Sequence, residues 1–473
     1  MRASAAARAS STASSTASSK PAFRTQPVVA SNATITLRFA EKRDLILDGA
    51  ARLFNRRGIK AGTLAEVAAS VGLASNSLTY YFRKKEDLVS ACLLRSIEVI
   101  DEVVTVAALA DTPALRVAAL VRGYLAVIAA VADCTRSELI FFNDMRALPQ
   151  PQAAPVFAAY VQMWRGVREL LQPGPATVSR RTVAPSPRDS GEARRALNAR
   201  AHLLLAEVLW SRAWLTRFET SDYPRVARVM TDLLLNGLAA PGQGWGSAAT
   251  PGASDVPALE DIPDPQADLY LRTATRLIND HGVGGASVDR IAAALALTKG
   301  SFYHHHPTKE GLVDACFERS FALIRRVQLR AITAPGTGWQ RLLHATLPLV
   351  ALHDPSPVAA AAERLDATLA GTGPLLRLTA WSALPGALRW QKFATLNRLG
   401  ERYAAMIAEG VSDGSVRPLD PAVASQLVCG LINALAEAEH WVNAEGSVPL
   451  TQLMAWPLLR GLLAPPPYLT PDP

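Results

Sequence analysis

Thr63–Lys85 reads TLAEVAASVGLASNSLTYYFRKK, and 224 residues later Ser287–Lys309 reads SVDRIAAALALTKGSFYHHHPTK, with no gap between the two. Extended to 48–92 against 272–316, the segments share 15 identities in 45 positions. Unrelated segments share roughly 5–7% from composition alone. Gly58/Gly282, Leu73/Leu297, Ser77/Ser301, Lys85/Lys309, Glu86/Glu310, Leu88/Leu312 and Cys92/Cys316 are among the matches. The chain is built around a doubled unit, and each copy reads as two short helices joined by a tight turn, the pattern of a helix-turn-helix.

Working outward from the first copy, Leu45, Ile46, Ala50, Leu53 and Phe54 recur at helical spacing, so Leu37–Arg57 is expected as a helix with one apolar face, stopped by Gly58. Thr63 followed by Glu66 is a capping box that fixes where the second helix starts. Gly72 supplies the permissive backbone of the turn. Ala74–Phe82 is the next helix, with Leu78 and Phe82 turned to the core and Ser75, Asn76, Ser77, Thr79, Tyr80 and Tyr81 forming its polar surface. In the second copy Ser287 caps the second helix with Asp289 in place of a Glu box, and Thr298 caps the presumed recognition helix. Ala296 replaces the turn glycine there, and His306 replaces the closing phenylalanine.

These residues resemble the Tet repressor (TetR/AcrR) family of transcription regulators. The likeness lies in Phe54-x-x-x-Gly58, the Thr-started helix, the small-residue turn, the aromatic run closing in Phe82, and Lys85, Glu86 and Leu88 opening a fourth helix. Thr79 and Tyr81 depart from the family's usual Tyr and His, whereas Tyr303 and His305 restore them in the second copy. The resemblance implies an all-α fold of two TetR-like units. Each would comprise an N-terminal three-helix helix-turn-helix domain and a C-terminal helical effector and dimerisation domain.

It also implies a double-stranded DNA operator and a small-molecule effector as partners, with repression as the usual mode. The DNA-contact candidates are Thr63, Ser75, Asn76, Ser77, Thr79, Tyr80, Tyr81 and Lys85 in the first copy. In the second they are Ser287, Thr298, Lys299, Gly300, Ser301, Tyr303, His304, His305 and Lys309. Hydroxyl and cationic side chains grip phosphates, while Asn76 suits adenine and Lys299 suits guanine. Because the copies differ, two non-identical recognition helices paired within one chain would suit an asymmetric operator; pairing of two whole chains is the other arrangement. Ala296 and His306 also motivate a second reading, in which only the first unit binds DNA and the second is an interaction or stabilising module.

The organisation expected is a disordered Ser/Ala-rich tail (1–36), DNA-binding domain one (37–88), helical domain one (89–240), a Gly/Pro/Ser linker (241–264), DNA-binding domain two (265–312) and helical domain two (313–466). Within the helical domains, helices are expected at 84–109, 113–132, 137–147, 155–171, 192–218, 224–239, 313–331, 338–352, 355–371, 374–384, 386–409, 421–443 and 449–463, with 173–191 a loop. In the resemblance, 203–218 and 222–238 look like the last two helices of the family, which usually form its dimer interface, and 410–435 resembles the approach to its penultimate helix. Outside the DNA-binding unit the halves do not align, so different pockets are expected. Phe141, Trp164 and Trp210 in the first half, and Trp381 and Tyr403 in the second, are the candidates to line them.

A net charge of +8 favours an anionic partner. Only eight lysines stand against 41 arginines, and Lys42, Lys60, Lys84, Lys85, Lys299 and Lys309 lie in or beside the repeat. Four cysteines without CxxC or Cys/His ligand spacing give neither a disulfide framework nor a zinc site, and suit a cytoplasmic compartment. His304–His306 cannot converge on one ion, because consecutive helical residues point about 100° apart. Glu437-x-x-His440 lacks the second such pair that a di-iron site needs and reads as helix decoration. No metal, cofactor or catalytic motif is expected. No uninterrupted apolar run approaches the ~20 residues that span a bilayer.

Overall fold

The computed structural model describes residues 29–174, 191–244, 265–296, 308–353, 373–442, 446 and 448–465. The compact unit Met1–Asp44 is described from Val29 onward, as helix; all that follows concerns Leu45–Pro473. The described residues are helical, with no strand among them and one isolated antiparallel bridge, Ala239 to Val416.

The first DNA-binding unit comprises α1 (Val29–Arg57), α2 (Leu64–Ser70) and α3 (Ser75–Tyr81). Helix α1 starts eight residues before the expected Leu37. Ile46, Ala50, Leu53 and Phe54 are buried, but Leu45 is 49% exposed and lies outside the apolar face assigned to it. Gly58 stops the helix at φ 78°. The capping box forms: the Thr63 hydroxyl accepts from the Glu66 amide at 3.2 Å, and Glu66 accepts from the Thr63 amide at 3.0 Å. Gly72 turns the chain at φ 68°, and Leu78 and Phe82 anchor α3 to the core.

The first helical domain follows as α4 (Lys85–Ala107), α5 (Pro113–Ala132), α6 (Ala153–Leu170), α7 (Gly191–Trp214) and α8 (Tyr223–Asn236). The second half runs α9 (Pro265–Gly285, broken at Gly282), α10 (Val288–Ala294), α11 (Lys309–Thr333), α12 (Gly338–Ala351), α13 (Gly386–Asp413), α14 (Pro421–Trp441) and, after a π-turn at Thr451–Ala455, α15 (Trp456–Arg460). The expected helix at 355–371, most of the 173–191 insert, the linker from 245 and residues 297–307 lie outside the described residues.

Two expected helices are not α-helical. Residues 137–147 are extended until a single 3₁₀ turn at Met145–Ala147, and 374–384 are extended until a 3₁₀ turn at Leu378–Ala383. In both, side chains take the backbone groups that a helix would have used, and they do so in the same way. Asn55 accepts from the Phe141 amide (3.0 Å) and donates to the Leu139 carbonyl (2.8 Å); Asn279 accepts from the Arg377 amide (2.9 Å) and donates to the Leu375 carbonyl (2.8 Å). Ser96 and Ser320 accept from Ile140 and Leu376, each at 2.9 Å. Cys92 and Cys316, both buried, lie 3.7 and 3.6 Å from the carbonyls of Leu47 and Leu271. The two halves are thus equivalent beyond the DNA-binding unit, although their sequences do not align there.

Within each half, α4 packs on α5 and α6, and α11 on α12 and α13. Between the halves, α7 packs on α14 and α8 on α14 and α15. The α7–α14 pair is antiparallel: His202 contacts the Ala434 carbonyl at 2.8 Å, and the Trp210 indole donates to Gln426 at 3.1 Å. The chain crosses close by at α8, where Leu462 donates to Leu234 and Leu238 to Leu459. Helices α5 and α14 are long and apolar enough to cross a membrane; both are packed on other helices, α5 on α4 and α8, α14 on α7 and α13.

Candidate DNA face and effector cavity

On α3, Ser75, Asn76, Ser77, Thr79 and Tyr80 are exposed, while Leu78 beneath them is fully buried. Tyr80 is 77% exposed, with Tyr81 edge-on to it at 5.4 Å and half-buried. The geometry is that of a short helix anchored by Leu78 with its polar side chains exposed around the rest of its circumference. Two candidates beside it are already committed to the fold. The Thr63 hydroxyl belongs to the α2 cap, and the Lys85 ammonium donates to the Lys60 carbonyl at 3.1 Å, leaving two further donors.

The second copy presents less. Thr298, Lys299, Gly300, Ser301, Tyr303, His304 and His305 lie outside the described residues. Ser287 is exposed, and its hydroxyl caps α10 by accepting from the Arg290 amide at 3.1 Å. The Lys309 ammonium is buried and has no hydrogen-bond partner among the described residues. Burial, reinforced by Lys60, lowers its pKa to about 8. Next to it, Ala296 occupies the turn at φ 54°, the left-handed conformation that glycine adopts in the first copy.

Between the halves lies a cavity with about 100 Å³ of free space. Phe141, Trp210 and Trp381 line it, with Leu139, Ile140, Phe142, Leu205 and Leu209. Trp164 and Tyr403 do not. Trp164 stacks on Trp441 at 5.0 Å inside the bundle, and the Tyr403 hydroxyl donates to the Ala345 carbonyl at 3.0 Å, fully buried. Residues of both halves wall this one space. Trp210 and Trp381 face each other across it at 6.1 Å.

Of its charged groups, the sequence singles out only Glu437, and then as helix decoration. Arg377 pairs with Glu437 and donates to the carbonyls of Asn143 and Asn279, each at 2.9 Å. Glu437 is therefore part of the cavity wall and not helix decoration. Arg212 pairs with Glu138 and covers the Phe141 ring at 4.1 Å. Arg146 also lines the space. The repeat held one usable signal: Asn55 and Asn279 are identical across the two copies, and they hold the cavity wall. Arg146, Arg377 and Glu437 come together only through the extended segments, which helical periodicity misread.

The model of the bacterial regulatory proteins of the tetR family matches residues 46–92 and 271–316. Similar proteins include the HTH-type transcriptional repressor KstR2 of Mycolicibacterium smegmatis, 43% identical over 54 residues, which are 11% of this chain and 26% of that protein. The transposon Tn10 TetC protein of Escherichia coli is 31% identical over 72 residues, 15% of this chain and 36% of that protein. The chain thus spans between a quarter and about a third of these relatives' length. Among solved structures, AibR in complex with isovaleryl coenzyme A and operator DNA aligns with a TM-score of 0.33 at 22% identity, covering 41% of this chain and 97% of that one. PfmR, a TetR family transcriptional regulator from Thermus thermophilus, aligns at 0.31 and 21%, covering 41% and 98%. Both copies of the repeat are matched, so the chain carries the DNA-binding unit of the tetR family twice.

Proposed function

We propose that the protein is a sequence-specific transcription regulator, a repressor by the family's usual mode, that binds an operator through α3 and is modulated by a small molecule. The observation that carries this is the exposed row Ser75, Asn76, Ser77, Thr79 and Tyr80 over a fully buried Leu78. Such a row lets hydroxyls position the helix on phosphates while Asn76 addresses a base edge. The two halves act as an intramolecular pseudo-dimer, a reading supported by the antiparallel packing of α7 on α14 and of α8 on α15. Two non-identical helix-turn-helix units would then meet an asymmetric operator.

The buried Lys309 ammonium and the strained Ala296 turn favour a second reading, in which the first unit alone reads DNA and the second orients it. Fluorescence anisotropy on fragments selected from a random duplex pool tests both. Asn76→Ala is expected to weaken binding about 5- to 100-fold, equivalent to ~1–3 kcal/mol, and to relax base preference at one position. Tyr80→Phe should weaken all fragments alike. If Lys299→Ala leaves affinity and footprint unchanged, the second reading holds. Unchanged affinity in Asn76→Ala with Tyr80→Phe combined would contradict the assignment of α3.

A further inference from the structure

The cavity between the halves has an unequal charge balance. Of the three arginines lining it, Arg377 is neutralised by Glu437 and Arg212 by Glu138. Arg146 makes no hydrogen bond or ion pair with any described residue, and its guanidinium lies 6.0 Å over the Phe157 ring. The nearest acidic groups act on it only at a distance: Glu437, already paired with Arg377, and Asp280. Burial depresses its pKa, as expected where a cation lacks a close counter-ion. His202, the other ionisable base on the wall, has its pKa lowered by burial and adds no charge at neutral pH.

Two phenols complete the polar set. Tyr124 and Tyr160 are 2% and 7% exposed, both line the cavity, and neither hydroxyl makes a hydrogen bond to a described residue. A hydroxyl facing the cavity without a partner is satisfied by an acceptor placed there. The rest of the wall is aromatic and branched aliphatic. The space, about 100 Å³, admits a small organic molecule.

We propose that this cavity binds one small monoanionic carboxylate with an aromatic or branched apolar body, its carboxylate held by Arg146 and its body between Trp210, Phe141 and Trp381. A cationic ligand would meet an uncompensated arginine, and a neutral one would leave Arg146 and the phenols unsatisfied. Both halves wall the site, so the stoichiometry is one ligand per chain. The proposal rests on the regulator reading and gives it a route. The wall at Leu139–Phe141 is hydrogen-bonded to Asn55, at the end of helix one of the first DNA-binding unit. Arg377 of the wall donates its amide to Asn279, at the same place in the second. One occupant therefore bears on both units.

The test is calorimetric titration of the full chain with benzoate, phenylacetate and 4-methylpentanoate, and with phenylacetamide and phenethylamine as the neutral and cationic counterparts. At least one acid is expected to bind one to one, tenfold or more tighter than phenylacetamide, with no binding of the amine. Arg146→Met should weaken that acid at least tenfold, and Arg146→Lys should recover part of the loss, at unchanged melting temperature. If Arg146→Met does not fold, the acid-against-amide ratio in the wild type still decides. Equal binding of acid and amide, two ligands per chain, or no binding of any acid would overturn the proposal. DNA anisotropy run in parallel separates the two claims. Acid binding without any effect on DNA affinity would count against regulation through this site, whereas intact DNA binding without acid binding counts against the carboxylate site alone.

Discussion

Ala296 holds φ at 54° where Gly72, at the corresponding turn, holds 68°. An L-residue in the left-handed region costs about 1–2 kcal/mol relative to the right-handed one, and a Cβ at Gly72 would meet nothing within 4 Å. The two turns share the left-handed backbone, and Ala296 carries the strain that glycine avoids at Gly72. Gly72→Ala is expected to lower stability by ~1 kcal/mol, and Ala296→Gly to raise it by a similar amount. Urea denaturation at fixed pH measures both; a loss of stability in Ala296→Gly would contradict the strain. This inequality was legible in the sequence as a missing glycine. The twin asparagines were legible only as one identity among fifteen, because what makes Asn55 and Asn279 matter is the extended backbone each one holds.

At the scale of elements, the crossing of α7 and α14 brings a carboxylate into the interior. Glu207 is fully buried, neither of its oxygens has a hydrogen-bond partner among the described residues, and it faces Gly430 of α14, where a side chain would collide with it and with Trp210. Burial raises its pKa well above 4.5, so the folded protein keeps it protonated while the unfolded chain ionises. Its contribution is neutral below pH 4.5 and becomes increasingly destabilising as pH rises toward the folded-state value, at about 1.4 kcal/mol per pH unit. Glu207→Gln should therefore be more stable than the wild type at pH 7, with the difference shrinking toward pH 4.5. Melting temperatures across that range check the sign, and a pH-independent difference would contradict it. Periodicity located nearly all the helices, since each buries one stripe along its length. It failed at 137–147 and 374–384, where short apolar runs satisfy a helix or a buried extended segment equally. The backbone partners that decide between them, Asn55 with Ser96 and Asn279 with Ser320, lie about 40 to 100 residues away.

At the scale of the molecule, duplication has produced two units that share one apolar seam and one cavity. The seam occupies α7, α8, α14 and α15, and under the pseudo-dimer proposal it takes the place of pairing between chains. The sequence carried the doubling plainly but not the shared cavity, because the cavity walls come from segments whose sequences diverged while their hydrogen bonds did not. The most direct test of the account is light scattering of the full chain, free and bound to a selected operator fragment. The account predicts 50.5 kDa of protein in both states, one chain carrying two helix-turn-helix units per fragment. About twice that mass, with four such units on the DNA, would contradict it.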